Sequence, residues 1–269
     1  MSIKLVAIDM DGTLLNNKSQ ITPAVYEAIQ DAKKAGVKIV ITTGRPISGV
    51  KTILSELNLT DQGDYVVTFN GGLVQDVATG QEVVAETLSY EDYLDIELLA
   101  RKLQVPMHAS SKEGMFTANR NIGKYTLYEA RLVDSALFYR TPEEMTEVSI
   151  VKTMMVDEPE YLDTIIPQIP ASFMERFNIA KSAAFYLEVC PKTASKGNAI
   201  KQLAAHLGID IAETMAIGDE ENDRTMLEVV GHPVAMANAR ESIKTISRSI
   251  TKSNDEDGVA YAIREWVLK

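Results

Sequence analysis

Apolar residues follow two rhythms along this chain. Residues 3–8, 37–42 and 65–69 are short apolar runs rich in β-branched side chains, the pattern of strands buried on both faces of a parallel sheet. Between them apolar residues recur at helical spacing. Val25, Ala28, Ile29 and Ala32 form one stripe behind Thr22-Pro23, a cap followed by a proline in the first turn, and Gly36 ends it. Ile47, Val50, Leu54 and Leu57 form a second stripe, which predicts a helix starting at Pro46. Asn70-Gly71-Gly72 closes the third strand. This β-α-β-α-β order predicts a parallel sheet covered by helices.

The middle of the chain breaks the rhythm. Residues 73–88 predict a hairpin around Ala78-Thr79-Gly80, and residues 89–103 a helix capped by Ser89 with Asp92 three residues on. Short strands are predicted at 106–109, 115–118, 148–156 and 186–189, in alternation with helices. The parallel rhythm returns near Ser195. A helix at 198–207 buries Ile200, Leu203, Ala204 and Leu207 and stops at Gly208. Then come a strand at 214–217, a polar turn at 218–223, a helix at 223–230, strands at 233–236 and 247–251, and a closing helix at 258–267. The predicted fold class is α/β: a doubly wound parallel sheet, residues 1–83 and 190–269, with an inserted α+β cap at 84–189.

Composition narrows the partners. Of 269 residues, 45% are hydrophobic, yet no apolar run approaches the roughly 20 residues of a membrane span. The first residues lead straight into a strand-like run without the layout of a secretory signal, and the one cysteine, Cys190, cannot pair within the chain. Both point to the cytoplasm. A net charge of −11 repels nucleic acid and anionic membranes. It repels phosphate esters too, so a phosphate substrate needs a local cation.

Four polar segments sit where such a sheet places its ligands, at the carboxyl ends of strands. Asp9-Met10-Asp11-Gly12-Thr13 follows the first strand. Its two carboxylates repel each other unless a cation or a shared proton intervenes, and with a metal one can attack while the other carries protons. The plain alternative is a turn. A calcium loop fails on spacing, because Leu14 and Gln20 stand where Gly and Glu belong. Thr42-Thr43-Gly44-Arg45 follows the second strand, with a hydroxyl, free amides and a close-approach glycine suited to a phosphate, or simply to a turn. Lys196 stands at a helix start, where a cation is disfavoured unless an anion offsets it. Gly218-Asp219-Glu220-Glu221-Asn222-Asp223 is either a hard-cation site or an acidic helix cap. His108, His206 and His232 are scattered, without metal-ligand spacing.

Taken together and in this order, the segments resemble the haloacid dehalogenase superfamily. Asp-Met-Asp-Gly-Thr-Leu-Leu, Thr-Thr-Gly-Arg-Pro, Asn-Gly-Gly, Ala-Ile-Gly-Asp and Val-Ala-Met-Ala-Asn look like its Cof-type branch with a C2B cap, nearest the YidA-type sugar phosphatases. The resemblance implies an enzyme that hydrolyses small phosphorylated metabolites with Mg2+. It makes Asp9 the nucleophile and a metal ligand, and Asp11 the acid and base, lending its carbonyl to the metal. It assigns phosphate binding to Met10, Thr43, Gly44, Arg45, Lys196 and Asn222, metal binding also to Asp219, and supporting roles to Gly12 and Asp223. It implies a monomer or small homo-oligomer. A phosphomannomutase-like phosphomutase and a non-catalytic phosphometabolite-binding protein stay open as alternatives. Tyr125, Tyr128, Arg131 and Lys152 lie in the cap, either as substrate contacts or as plain structure.

Overall fold

The computed structural model describes residues 2–269. The chain divides into two units. The first holds residues up to Gly44, Val50–Val84 and Ser195–Lys269. The second holds Arg45–Gly49 and Ala85–Ala194, so it runs past residue 189 and takes in a short early segment as well.

In chain order the first unit contributes β1 Leu5–Asp9, α1 Pro23–Lys34, β2 Lys38–Thr42, α2 Lys51–Glu56, β3 Tyr65–Thr68, β4 Leu73–Asp76 and β5 Glu82–Ala85. The second unit contributes α3 Tyr90–Lys102, β6 Met107–Ser111, β7 Gly114–Thr117, α4 Lys124–Leu132, β8 Leu137–Tyr139, β9 Lys152–Val156, α5 Pro159–Ile165, α6 Ala171–Arg176, β10 Phe177–Ala183 and β11 Tyr186–Pro191. The chain then returns with α7 Lys196–His206, β12 Thr214–Gly218, α8 Arg224–Val229, β13 His232–Ala235, α9 Glu241–Ile246, β14 Ser249–Ile250 and α10 Gly258–Trp266.

The first unit is an eight-stranded sheet in the order β14-β13-β12-β1-β2-β3-β4-β5. It is parallel from β14 to β3, and β4 turns antiparallel. Parallel pairing requires crossover helices, and these bury the central strands on both faces. Accordingly Leu5–Ile8 and Met215, Ala216 and Ile217 have no exposed surface. The α/β, doubly wound class read from the sequence is the one observed. Thr22 caps α1 by accepting a hydrogen bond from the Val25 amide at 3.3 Å, and Ser89 and Asp92 form the expected capping box.

Several predicted bounds are corrected. The helix predicted from Pro46 is a 3-10 turn, Ile47–Gly49, followed by α2, because the backbone breaks at Val50. Ser48 explains the break: its hydroxyl donates to the Val133 carbonyl at 2.6 Å and ties the turn to the second unit. β3 ends at Thr68 because Phe69 and Asn70 both adopt left-handed backbone. The strand predicted at 148–156 begins only at Lys152, while Ile150 makes an isolated bridge to Leu88. The edge strand β10 was not predicted; its Ala180–Ser182 stretch is exposed and polar, with no apolar alternation to mark it.

The second unit is a six-stranded sheet in the order β10-β11-β9-β6-β7-β8. One face packs Met107, Ala109, Phe116, Met155, Leu187 and Val189 under Ile96 of α3 and Leu162 of α5. The opposite face carries Met154, Val156 and Tyr186, with Tyr125 of α4 against them. His108 pairs with Met154 on this face and is fully buried; its Nδ1 lies 3.4 Å from Thr126 Oγ1 and its Nε2 has no hydrogen-bond partner. Burial, helped by the charge of Lys152, pushes the His108 pKa down to about 3. The unfolded imidazole titrates near 6.5. Between those values the unfolded chain binds the extra proton, so this contribution to stability is intact above pH ~6.5 and declines as pH falls towards 3. The expected slope is about 1.4 kcal/mol per pH unit. Amide exchange of β6 should show it, and the slope should flatten in His108→Phe.

Candidate active site

The site is built at the carboxyl edge of the first unit's sheet. Asp9 ends β1 in register with Thr42 of β2, and Ile8 is in register with Ile217 of β12. The residues that follow these three strands, Met10, Thr43 and Asp219, therefore leave the sheet side by side. After Asp9 the chain folds back at once: the Leu14 amide donates to the Asp9 carbonyl at 3.1 Å and the Leu15 amide to the Met10 carbonyl at 3.0 Å. Gly12 makes the bend, at φ +84, and a β-carbon there would stand 2.5 Å from Asp219 Oδ2. No other residue fits both the dihedral and the space.

Lys196 is placed with equal care. The Ser195 hydroxyl caps α7 by accepting from the Asn198 amide at 3.2 Å. Gly71, at φ +97, lets the chain after β3 approach so closely that a β-carbon would sit 2.1 Å from the Ser195 carbonyl oxygen. The Gly197 amide donates to Thr225 Oγ1 of α8 at 3.1 Å. The lysine side chain, fully buried, donates to Asp9 Oδ1 and to Asp223 Oδ1, the latter at 2.7 Å. Two carboxylates thus offset a cation that the helix start disfavours.

Asp223 has a second task. Its Oδ2 accepts the amides of Asp219 (2.9 Å) and Glu220 (3.1 Å), which fixes the turn after β12. Asp219 in turn accepts from the Thr13 hydroxyl at 2.9 Å. Carboxylate oxygens of Asp9, Asp219 and Asp223, all buried, lie within 4.8 Å of one another. Three carboxylates face one ammonium, an excess of two formal negative charges (3 − 1). The titration behaviour reflects it. Burial pushes the Asp9 carboxyl up to about 8; Lys196 opposes this, and Asp223 and Asp219 add to it. Burial raises Asp219 to about 6, against the Thr13 hydrogen bond and with help from Asp223 and Glu220. For Lys196 burial acts downward, but Asp9 and Asp223 outweigh it and hold the ammonium above its ordinary value.

Gathered, buried, hard oxygen donors with surplus negative charge fit a small divalent cation. Asp223 already serves Lys196 and two amides, so Asp9 and Asp219 are the better side-chain ligands. Asp11 is exposed two residues beyond Asp9, and its carboxylate lies outside this cluster.

Of the other residues singled out in the sequence, Met10 buries its side chain in the core. Thr43 is buried; its amide donates to the Val67 carbonyl at 2.9 Å and its carbonyl accepts from Asn70 at 2.9 Å. Thr42 instead points its hydroxyl at the Met226 sulfur, 3.6 Å away. Gly44 lies against the Asn70 side chain, and a β-carbon would meet Asn70 Nδ2 at 3.0 Å. Asn222 is exposed and donates to Asn70 Oδ1 at 3.1 Å. Arg45 falls in the second unit. Three residues of the assembly were not assigned from sequence. Thr13 was visible only as the end of the Asp-x-Asp-Gly-Thr pattern. Asn70 enters the sequence reading as a strand terminator and as the first residue of Asn-Gly-Gly, with no site role. Asn238, whose side chain donates to the Gly12 carbonyl at 2.9 Å, stands at the end of the Val-Ala-Met-Ala-Asn pattern, to which no site role is attached.

Comparison with known proteins adds an independent line. The profile of the haloacid dehalogenase-like hydrolases matches residues 6–263. A Streptococcus pyogenes protein named as a candidate phosphatase is 59% identical over 268 residues, covering 100% of both chains. A Bacillus subtilis protein named in the same way is 45% identical and covers 98% of both chains. A crystal structure of a haloacid dehalogenase-like hydrolase from Bacteroides thetaiotaomicron superposes with a TM-score of 0.85 at 28% identity, covering 98% of this chain and 99% of that one.

Proposed function

The chain belongs to the haloacid dehalogenase-like hydrolase family, and we propose that it is a magnesium-dependent phosphatase that hydrolyses small phosphorylated metabolites, sugar phosphates foremost, through an aspartyl phosphate on Asp9. Full-length relatives named for phosphatase activity support the coarse reading. The carrying observation is the buried meeting of Asp9 with Lys196, Asp219 and Asp223. The choice of sugar phosphates rests on the likeness of the motifs to the Cof-type branch.

Phosphoryl transfer asks mainly for positioning and charge neutralisation. In this reading the side chains of Asp9 and Asp219 and the main-chain carbonyl of Asp11 hold Mg2+. The ion supplies the positive charge that brings a carboxylate and a phosphate dianion together. Asp9 attacks phosphorus; the bond from phosphorus to the alcohol oxygen breaks, and that oxygen takes a proton from Asp11. Asp11, now ionised, takes a proton from water, whose oxygen attacks phosphorus and frees Asp9 and inorganic phosphate. Lys196 offsets charge on Asp9 throughout. Thr43, Gly44, Asn222 and the Met10 amide orient the phosphoryl oxygens, and Asp223 keeps Lys196 and the Asp219 turn in place.

The test is metal removal. Hydrolysis of a generic aryl phosphate should fall to background in excess chelator and return with added Mg2+. Turnover that persists in excess chelator contradicts the proposal.

A further inference from the structure

We propose that the second unit carries a binding site of its own for a small planar aromatic anion, on the outer face of α4. Lys124, Leu127, Tyr128 and Arg131 recur at helical spacing and share one face of α4, while Thr126, Glu129 and Ala130 are buried on the other. With Tyr125 and Phe185 they line a groove of about 590 Å³. That size suits a small molecule.

The groove's chemistry selects its occupant. Tyr125 and Phe185 stack with centroids 4.7 Å apart and planes 13° apart, and Tyr128 meets Phe185 edge-on at 5.9 Å. Tyr128 is 52% exposed and Leu127 42%, so ring face and apolar edge are open to a ligand. The rings are held from behind, because Phe185 packs on Tyr186 at 4.6 Å and Tyr125 donates its hydroxyl to Glu158 at 2.7 Å. Lys124 is paired with Glu158. Arg131 has no ion pair or side-chain hydrogen bond among the described residues, in a chain of net charge −11. A guanidinium beside aromatic rings stacks on a flat ligand and pairs with a carboxylate. Six lining residues are too few for a stable protein interface, which engages roughly 20–30 a side.

The probe is 2-naphthoate, titrated into the full chain and followed by its own fluorescence. It lacks phosphorus, so success or failure here is independent of the phosphatase reading. Saturable binding with a Kd of about 1 mM or tighter is expected. Cyclohexanecarboxylate should bind about tenfold more weakly, and Arg131→Gln and Tyr128→Leu should each weaken 2-naphthoate about tenfold. Both positions are exposed, so the fold is not at stake. Asp9→Asn should leave the affinity unchanged. The proposal is overturned by an absence of saturation, by equal affinity for the two carboxylates, or by variants that bind like the parent. It is overturned equally if Asp9→Asn abolishes binding, which moves the ligand to the first unit. Conversion of a dimer to a monomer by Tyr128→Leu in sedimentation overturns it as well, because the face is then a contact between copies.

Discussion

Asp9→Asn should lower hydrolysis of any phosphate ester by roughly 10⁴-fold or more while leaving the protein folded. Both halves follow from one site. The amide cannot attack phosphorus, so the covalent route closes. Yet the substitution removes one of three carboxylates crowded within 4.8 Å around a single lysine. Burial holds the Asp9 carboxyl up against the pull of Lys196, with Asp223 and Asp219 adding to it, so its charge is costly in the apo fold, and Asp223 still pairs with Lys196 when that charge is removed. The unfolding midpoint of Asp9→Asn without metal should therefore equal or exceed that of the parent. Trp266, the chain's one tryptophan, sits in α10 of the first unit and reports the transition. Turnover within a few-fold of the parent would remove Asp9 from the role of nucleophile.

Lys196→Met should behave in the opposite way towards stability. Lys196 and Asp223 have no exposed side-chain surface, and Asp9 has 8%. Removing the cation leaves buried carboxylates facing one another without compensation, at a cost of about 3–5 kcal/mol. The Asp223 hydrogen bonds to the Asp219 and Glu220 amides should loosen with it, since the same carboxylate serves both. Activity should fall about 10³-fold, through lost neutralisation of the reacting carboxylate. Adding Asp223→Asn should recover part of the lost stability and none of the activity. An unchanged urea midpoint in Lys196→Met would show that the buried pair does not support the fold.

The buried cluster of Asp9, Asp219 and Lys196 was legible in the sequence because its signals are local. Asp9 and Asp219 each directly follow an apolar parallel strand, and strand ends gather in such a sheet. Lys196 stood out as a cation where the helix dipole repels one. The α/β architecture was legible for the same reason, since its strands are uninterrupted apolar runs. What escaped depends on contacts far apart in the chain. Asn238 reaches Gly12 across more than two hundred residues, and Asn70 matters only because Gly44 and Asn222 come to it. In the second unit β10 is an exposed edge strand, and α4 is short, with its aromatic and basic face turned outward. Neither carries a strong periodic apolar signal, so β10 is missing from the sequence reading and α4 enters it only as a helix without bounds between two predicted strands.

The covalent step admits a direct test. The enzyme is mixed with excess substrate and Mg2+, quenched in acid during turnover, digested, and the peptide spanning β1 is weighed and sequenced by mass spectrometry. One added phosphoryl group on Asp9 is expected, formed only with substrate and missing from Asp9→Asn. Full turnover with Asp9 unmodified at every quench time, or the phosphoryl group on a different side chain, would contradict the mechanism.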